Sequence, residues 1–321
     1  MRIDLPRNAS LARLRSEVEQ RLAALLPPAD GEPVNAALHA AVLGSGKRLR
    51  PLLVLLAGRA LGARPRGLLE LACAVEMVHC ASLVLDDLPA MDDARLRRGA
   101  PTVHMRYGED VAMLATVALV AEACRIAASS PGLRATVRAE VVQVLCAAIG
   151  PLGLVRGQYR DLHDAKGARS PRAVAEANEL KTGVLFACAL ELAARAAGRP
   201  DAVAPLRRAA LAMGHAFQLR DDLQDQAPSA VTGKDSGQDA GKGTLVQLLG
   251  ASAARRLVER QLADAVHALR AGLGRDDPLL MELLAHAFPG CPLPATDAPA
   301  AAAPLSRPRL PRPAAVLGLQ A

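Results

Sequence analysis

Two runs of aspartate have the composition and spacing to share a cation. Residues 83–93 (LVLDDLPAMDD) and 217–225 (FQLRDDLQD) each close an apolar helical stretch with carboxylates. In the second run Asp221 and Asp225 are four apart and project from one helical face. In the first, Pro89 and two additional residues interrupt the turn, so a local bulge is needed to bring Asp86 and Asp92 to a common side. Carboxylates crowded behind apolar sequence repel one another and cost stability unless a counter-cation neutralises them. Neither run contains His or Cys, so every ligand is an oxygen, which selects a hard ion. Mg²⁺ characteristically binds through one or two carboxylates together with phosphate oxygens. Asp276-Asp277, before Pro278, reads instead as a helix-start or loop pair.

The basic residues supply the complementary half. Of 39 Lys and Arg only five are lysine: Lys47, Lys166, Lys181, Lys234 and Lys242. Arg serves nearly everywhere that a generic positive charge suffices, so a retained Lys suggests a compact ammonium that meets phosphate as a point charge. Gly46-Lys47-Arg48-Leu49-Arg50 precedes a helix, Arg97-Arg98 follows the first acidic run, and Lys181-Thr182 sits in a helix. Lys234 and Lys242 lie in a glycine-rich loop after the second run. Paired acid clusters with several separate basic sites point to two diphosphates, one held through metal and one held directly by Lys and Arg. The net charge of +7 would also suit nucleic acid, but two Tyr, three Phe and no Trp leave such a reader without stacking residues.

These side chains need a frame. With 51% hydrophobic and 2% aromatic residues, drawn mostly from Ala, Leu and Val, the chain is neither disordered nor collagen-like and is predicted to be all-α. Prolines punctuate segments with apolar residues at i, i+3, i+4 and i+7, predicting helices over 68–87, 110–128, 134–149, 172–197, 203–225 and 245–271. No segment alternates as a strand does. Six cysteines without a CxxC pair indicate neither a zinc site nor a disulfide framework, which suits a reducing cytoplasm. The longest uncharged stretch, 141–155, contains Gly and Pro and falls short of the roughly 18–20 residues of a membrane span, so no transmembrane segment is predicted. From Pro289 onward the chain holds eight of its 23 prolines and an Ala run, predicting a catalytic domain over 1–288 and a disordered Pro/Ala-rich tail over 289–321.

The sequence resembles the trans-polyprenyl diphosphate synthases over roughly residues 40–285. The motifs are GKRLRP (46–51), DDLPAMDD (86–93) followed by LRRG (96–99), Gly157-Gln158 to Asp161, KTG (181–183), FQLRDDLQD (217–225) and TGKDSGQDAGKGT (232–244). Their wording is most similar to bacterial carotenoid-pathway geranylgeranyl diphosphate synthases. The resemblance implies an isoprenoid synthase type I fold: a homodimeric helical bundle around a central cavity. It further implies that Asp86, Asp87 and Asp92 bind Mg²⁺ and an allylic diphosphate, and that Asp221, with Asp222 and Asp225, holds the last ion of a three-Mg²⁺ cluster. Arg97, Lys181, Thr182, Gln218, Lys234 and Lys242 would surround the allylic diphosphate, and Lys47, Arg50, His79 and Arg98 would hold isopentenyl diphosphate. The implied reaction joins isopentenyl diphosphate to dimethylallyl, geranyl or farnesyl diphosphate by ionisation, condensation and proton loss.

Product length follows from the helix that carries Asp86. One turn upstream lie Ala81 and Ser82, both small, and the next wall on that face is expected at Met77, ending the cavity after a C20 product. Thr116-Val117 replaces the Gly-Asp of many relatives, with cavity depth or dimer contacts as the affected features. The competing readings are farnesyl or longer-chain synthesis, and a non-catalytic subunit of a synthase heteromer. Such subunits usually lack one aspartate motif, and here both are intact. A terpene cyclase is disfavoured because its second metal motif normally mixes Asn, Ser or Thr with acids.

Overall fold

The computed structural model describes residues 9–163, 171–224 and 245–294. Its helices are α1 (Ala9–Leu25), α2 (Pro33–Leu43), α3 (Leu49–Ala60), α4 (Pro65–Asp86), α5 (Val103–Tyr107), α6 (Glu109–Ser129), α7 (Ala135–Ile149) and α8 (Leu154–His163). There follow α9 (Pro171–Asn178), a π-helix (Glu179–Gly183), α10 (Val184–Ala196), α11 (Pro200–Gln224), α12 (Leu245–Leu249), α13 (Ala251–Leu273) and α14 (Pro278–Ala287). Proline opens several of them where its missing N–H costs nothing. Glu32 caps α2 by accepting from the Val34 and Asn35 N–H groups, and Asp277 caps α14 by accepting from Leu280 N–H. The latter is the helix-start role expected of the Asp276-Asp277 pair.

Helix α4 lies at the centre, packed against α3, α6 and α10, while α11 packs between α10 and α13. The interior is aliphatic apart from one aromatic cluster that uses all three phenylalanines of the chain. Phe186 of α10 and Phe217 of α11 have ring centroids 5.9 Å apart, and Phe288, just past α14, meets Phe217 edge-on at 6.3 Å. Two acids on α4 are matched from neighbouring elements. Glu70 pairs with Arg21 of α1 at 2.8 Å, and Glu76 pairs with the buried Arg48 at 2.8 Å.

Four expectations change. The helix predicted over 172–197 is divided by the π-helix, where an additional residue is accommodated in the backbone ladder. The helix predicted over 245–271 breaks at Gly250, whose φ of +79° no helix accepts. A short antiparallel hairpin pairs Leu96–Arg97 with Ala100–Pro101, its turn residues Arg98 and Gly99 both at positive φ as in a type I′ turn; two-residue strands are too short to show alternation. Three helical stretches, Pro65–Asp86, Glu109–Ser129 and Ala135–His163, are long and apolar enough to cross a membrane, contrary to the estimate from uncharged runs. That estimate stopped at any charge, whereas α4 retains Glu70 and Glu76, both neutralised inside the bundle by Arg. Cys291 and Leu293 pack on the core as partly buried residues, and residues 295–321 of the predicted tail lie outside the described residues.

Candidate active site

The first acidic run sits where α4 ends. Residues 87–94 fold back on the helix terminus: Asp92 N–H donates to the Asp86 carbonyl (3.0 Å), and Ala94 N–H donates to that of Asp87 (3.2 Å). Asp93 takes a positive φ of 48° to make the turn. The return brings the Asp92 charge close enough to raise the Asp86 pKa. Burial pushes the Asp86 carboxyl up to about 6, Asp92 and Asp87 adding to the push while Lys181 and Arg97 oppose it. Asp87 is buried, and the Arg97 Nε and Nη2 atoms both lie 2.6 Å from its Oδ1. The hairpin therefore aims Arg97 back at the carboxylates that precede it.

The π-helix supplies the next groups. Lys181 Nζ contacts Asp161 Oδ2 of α8 at 2.6 Å. Burial disfavours the ammonium, yet Asp86, Asp161 and Asp92 together hold its pKa above the ordinary lysine range. One residue on, Thr182 Oγ1 donates to Gln218 Oε1 of α11 (3.0 Å), and Gln218 Nε2 donates to Asp222 Oδ1 (2.9 Å). Consecutive residues of one short turn thus reach toward both acidic runs, which are remote in sequence. Asp222 is buried and Asp221 beside it half-buried. Asp225, Lys234 and Lys242 lie outside the described residues.

Close backbone packing holds this turn in place. A Cβ on Gly157 of α8 would lie 2.5 Å from the Lys181 nitrogen and 2.6 Å from the Leu180 carbonyl carbon. A Cβ on Gly214 of α11 would lie 2.6 Å from the Gly183 Cα. Both contacts are with backbone, which cannot rotate aside, so α8 and α11 approach the π-helix only because these positions carry no side chain.

A second basic group gathers around the start of α3. Arg50 is buried, lies 4.6 Å over the Phe186 ring and donates from Nη1 to His79 Nε2 at 3.2 Å. A guanidinium has no acceptor, so the His79 ring accepts at Nε2. Burial, with Arg50, Arg98, Arg97 and Arg48 around it, keeps His79 far below its ordinary range and therefore neutral. Burial also lowers Arg50 to about 10. Arg98 donates from Nη1 to the Ser45 carbonyl (2.6 Å), passing so near Gly46 that a Cβ there would sit 2.7 Å from it. Lys47 lies half-buried on the same loop. Arg48, within the same basic pentad, is structural: it pairs with Glu76 and donates to the Val42 and Gly44 carbonyls.

Between α4, α6, α7 and α8 lies an apolar cavity of about 100 Å³ with Asp86 and Lys181 at one end. On α4 its wall is Val78, Ala81, Ser82 and Leu85, an i, i+3, i+4, i+7 stripe. From Asp86 to Val78 the stripe runs about 12 Å at 1.5 Å per residue. Met77 is fully buried and lines no part of it. The wall expected there is Val78, because stepping back three from Ala81 and four from Ser82 meets at 78, while 77 turns toward the core. Thr116 and Val120 of α6 and Ile149 of α7 complete the lining; the Thr116 hydroxyl is tied to the Ala112 carbonyl (3.0 Å). Its neighbour Val117 is 68% exposed.

Two residues quoted only as motif letters gain positions. Asp161 partners Lys181. Gln158 is buried at the cavity wall with neither its Oε1 nor its Nε2 hydrogen-bonded among the described residues. An unsatisfied buried amide costs about 1–3 kcal/mol, so both polar atoms of Gln158 are available to a ligand or water in the cavity. The sequence clue was a polar side chain between apolar helices, which spacing alone does not distinguish from surface.

The donor set suits a hard cation in company with a ligand. Among the described residues no three His, Cys, Asp or Glu side chains converge into a ready-made metal site. Asp86 is held under repulsion that a cation would relieve, and every candidate donor is oxygen. With one or two carboxylates per ion, the other positions fall to water and phosphate oxygens, the arrangement Mg²⁺ favours.

The polyprenyl synthetase family model matches residues 32–268. The geranylgeranyl diphosphate synthase of Pseudescherichia vulneris is 48% identical over 78% of this chain and 83% of its own. The farnesyl diphosphate synthase of Escherichia coli is 39% identical over 78% of this chain and 86% of its own. Among solved structures, a geranyltransferase from Helicobacter pylori, complexed with magnesium and isoprenyl diphosphate, superposes with a TM-score of 0.75. It is 28% identical, covering 87% of this chain and 96% of its own.

Proposed function

The chain belongs to the polyprenyl synthetase family, and from that premise we propose that it is a geranylgeranyl diphosphate synthase. It condenses isopentenyl diphosphate with dimethylallyl, geranyl or farnesyl diphosphate, in the cytoplasm, and feeds isoprenoid and carotenoid synthesis. The observation that carries this reading is the juxtaposition of charge and grease: Asp86 and Lys181, with the Arg97 charge near Asp86, on a cavity whose α4 wall includes the small Ala81 and Ser82.

Asp86, Asp87, Asp92 and Asp221 would hold Mg²⁺, with Asp225 assigned the same role by the resemblance, which implies three ions. Bound there, Mg²⁺ neutralises the allylic diphosphate and makes it a better leaving group. Lys181 and Arg97 add fixed positive charge where negative charge grows as that group departs, with Lys234 and Lys242 assigned the same task. Thr182 and Gln218 orient the reacting end, and their bonded chain to Asp222 keeps them from turning away. Lys47, Arg50 and Arg98 grip isopentenyl diphosphate through direct ionic contacts, and neutral His79 fixes the Arg50 guanidinium. The aliphatic wall excludes water from the allylic cation, and the departing pyrophosphate takes the final proton. Incubation with Mg²⁺, isopentenyl diphosphate and farnesyl diphosphate followed by product chromatography tests the reading: a C20 diphosphate is expected. A C15 end product from geranyl diphosphate, with farnesyl diphosphate left unextended, would move the assignment to farnesyl synthesis, and no product with any allylic primer would refute the enzyme reading.

Chain length is set, on this view, by the cavity stripe. Ala81→Tyr fills the channel one turn below Asp86 and is expected to shorten the principal product from C20 to C15. Met77→Ala is expected to lower Tm through loss of a buried side chain while leaving product length unchanged. A longer product from Met77→Ala would restore Met77 as the stop.

The chain is further assigned as a homodimer. Helix α6 exposes Met113, Leu114 and Val117, while Leu152 just before α8 and Val155 within it are exposed too, more apolar surface than a lone copy leaves wet without reason. Val117→Arg is expected to convert a sedimenting dimer to monomer; a wild-type protein that sediments as monomer at micromolar concentration would remove the assignment.

A further inference from the structure

One side chain in the wall of the apolar cavity presents a polar group that no described residue engages. Gln158 of α8 is 9% exposed and lines the cavity, and neither its Oε1 nor its Nε2 is hydrogen-bonded among the described residues. The other two neutral polar side chains of the lining are tied to their own helices. Ser82 Oγ donates to the His79 carbonyl at 2.9 Å, and Thr116 Oγ1 donates to the Ala112 carbonyl at 3.0 Å. Apart from Asp86 and Lys181 the rest of the wall is aliphatic.

The height of Gln158 in the cavity is fixed by its neighbours in sequence. Gly157 brings α8 against the π-helix, where a Cβ would lie 2.5 Å from the Lys181 nitrogen. Asp161, one turn beyond Gln158, contacts Lys181 Nζ at 2.6 Å. Gln158 therefore stands level with Lys181, on the border between the charged end and the aliphatic wall. A prenyl chain lying in this cavity has no hydrogen-bonding group beyond its diphosphate, and the one charge it acquires there is the transient positive charge of the allylic cation. We propose that Gln158 is a catalytic residue of the prenyl transfer, its carboxamide oxygen facing the allylic carbons and stabilising the cation formed as the diphosphate departs.

This assignment rests on the prenyltransferase reading and adds a residue to it. In that step the C1–O bond breaks, both electrons leave with the diphosphate, and the positive charge is shared between C1 and C3. The amide oxygen forms no bond and gives up no proton; it offers the negative end of a fixed dipole to that charge. A carboxylate in its place would add to the repulsion already acting on Asp86, which a neutral amide does not. Because the amide is already desolvated and unpaired, no hydrogen bond has to break before it acts, and a dipole preorganised in this way stabilises developing charge far more than one in water.

The test measures single-turnover rates of the full-length protein with Mg²⁺, farnesyl diphosphate and isopentenyl diphosphate, beside calorimetric binding of a farnesyl thiolodiphosphate that does not ionise. Gln158→Met keeps the reach of the side chain and removes the dipole. It is expected to slow the single turnover by about 10²-fold, to bind the analogue within about threefold of wild type, and to melt no lower than wild type, since an unsatisfied buried amide is lost. Gln158→Asn keeps the amide but draws it back by one methylene; it is expected to lose rate with the same retention of binding, and it carries the test if Gln158→Met does not fold. Wild-type rates from the folded variants overturn the proposal, and so does a loss of analogue affinity equal to the loss of rate, which would make Gln158 a ligand of the ground state. A wild-type protein that forms no product refutes the prenyltransferase reading and this proposal with it, so the two failures are told apart by the wild-type assay alone.

Discussion

Replacing Asp86 by Asn is expected to lower kcat/KM by about 10³-fold or more while leaving Tm unchanged or raised. The two signs have one cause. Burial and the nearby Asp92 and Asp87 disfavour the ionised carboxyl, pushing it up to about 6, so at neutral pH its charge is carried at a cost to the fold. Asn keeps the shape and removes that repulsion, but it also removes an anionic oxygen from the set that would grip cation and diphosphate. Removing one preorganised electrostatic group from such a site typically costs 10²–10³ in rate, and a metal ligand is expected at or above that range. Steady-state kinetics with farnesyl and isopentenyl diphosphates, run beside thermal melts, checks both signs. Near-wild-type turnover would show that Asp86 carries no catalytic charge.

Gly157→Ala is expected to reduce kcat/KM by about 10²-fold without touching any charged group. Its Cβ would fall 2.5 Å from the Lys181 nitrogen and 2.9 Å from the Leu180 carbonyl oxygen, so either α8 or the π-helix must move. The π-helix carries Lys181, paired to Asp161, and Thr182, bonded to Gln218, so a shift there misplaces both partners together. A displacement near 1 Å in a positioning element is enough to cost two orders of magnitude. Circular dichroism separates misplacement from unfolding: a helical protein with the expected loss supports the reading. Wild-type kinetics from a folded Gly157→Ala protein would show that the close approach does not position Lys181.

The residues that look chemical in the sequence are those whose cost is visible there: carboxylates after apolar runs, and lysines where Arg is otherwise used. The helical frame is equally legible, since Pro starts, apolar periodicity and the near absence of aromatics all point one way. What spacing hides is how helices meet. Gly157 and Gly214 read as ordinary glycines until the π-helix is seen pressed against them. The π-turn itself has no sequence signature, because KTG is compatible with uninterrupted helix. Met77 and Val78 are adjacent and both apolar, and only the actual azimuth of α4 decides that Val78 faces the cavity. The hairpin of Leu96–Arg97 and Ala100–Pro101 leaves no periodic trace because two-residue strands cannot alternate, although Arg98-Gly99 is a turn signal. Arg48 shows the converse: embedded in a basic pentad, it is taken up by Glu76 and backbone carbonyls.

Cooperation between the two acidic runs is best measured by calorimetric titration with a non-ionisable thiolodiphosphate analogue of farnesyl diphosphate. Wild type, Asp86→Asn, Asp221→Asn and the double variant are compared, each with Mg²⁺ and with chelator. If the runs hold one diphosphate through shared Mg²⁺, each single variant loses about 10²-fold in Mg²⁺-dependent affinity and the double variant loses little more, a strong coupling in the cycle. Losses that simply add, or binding of equal strength with chelator present, would mean that the two carboxylate runs act on separate sites and that the joint site does not exist.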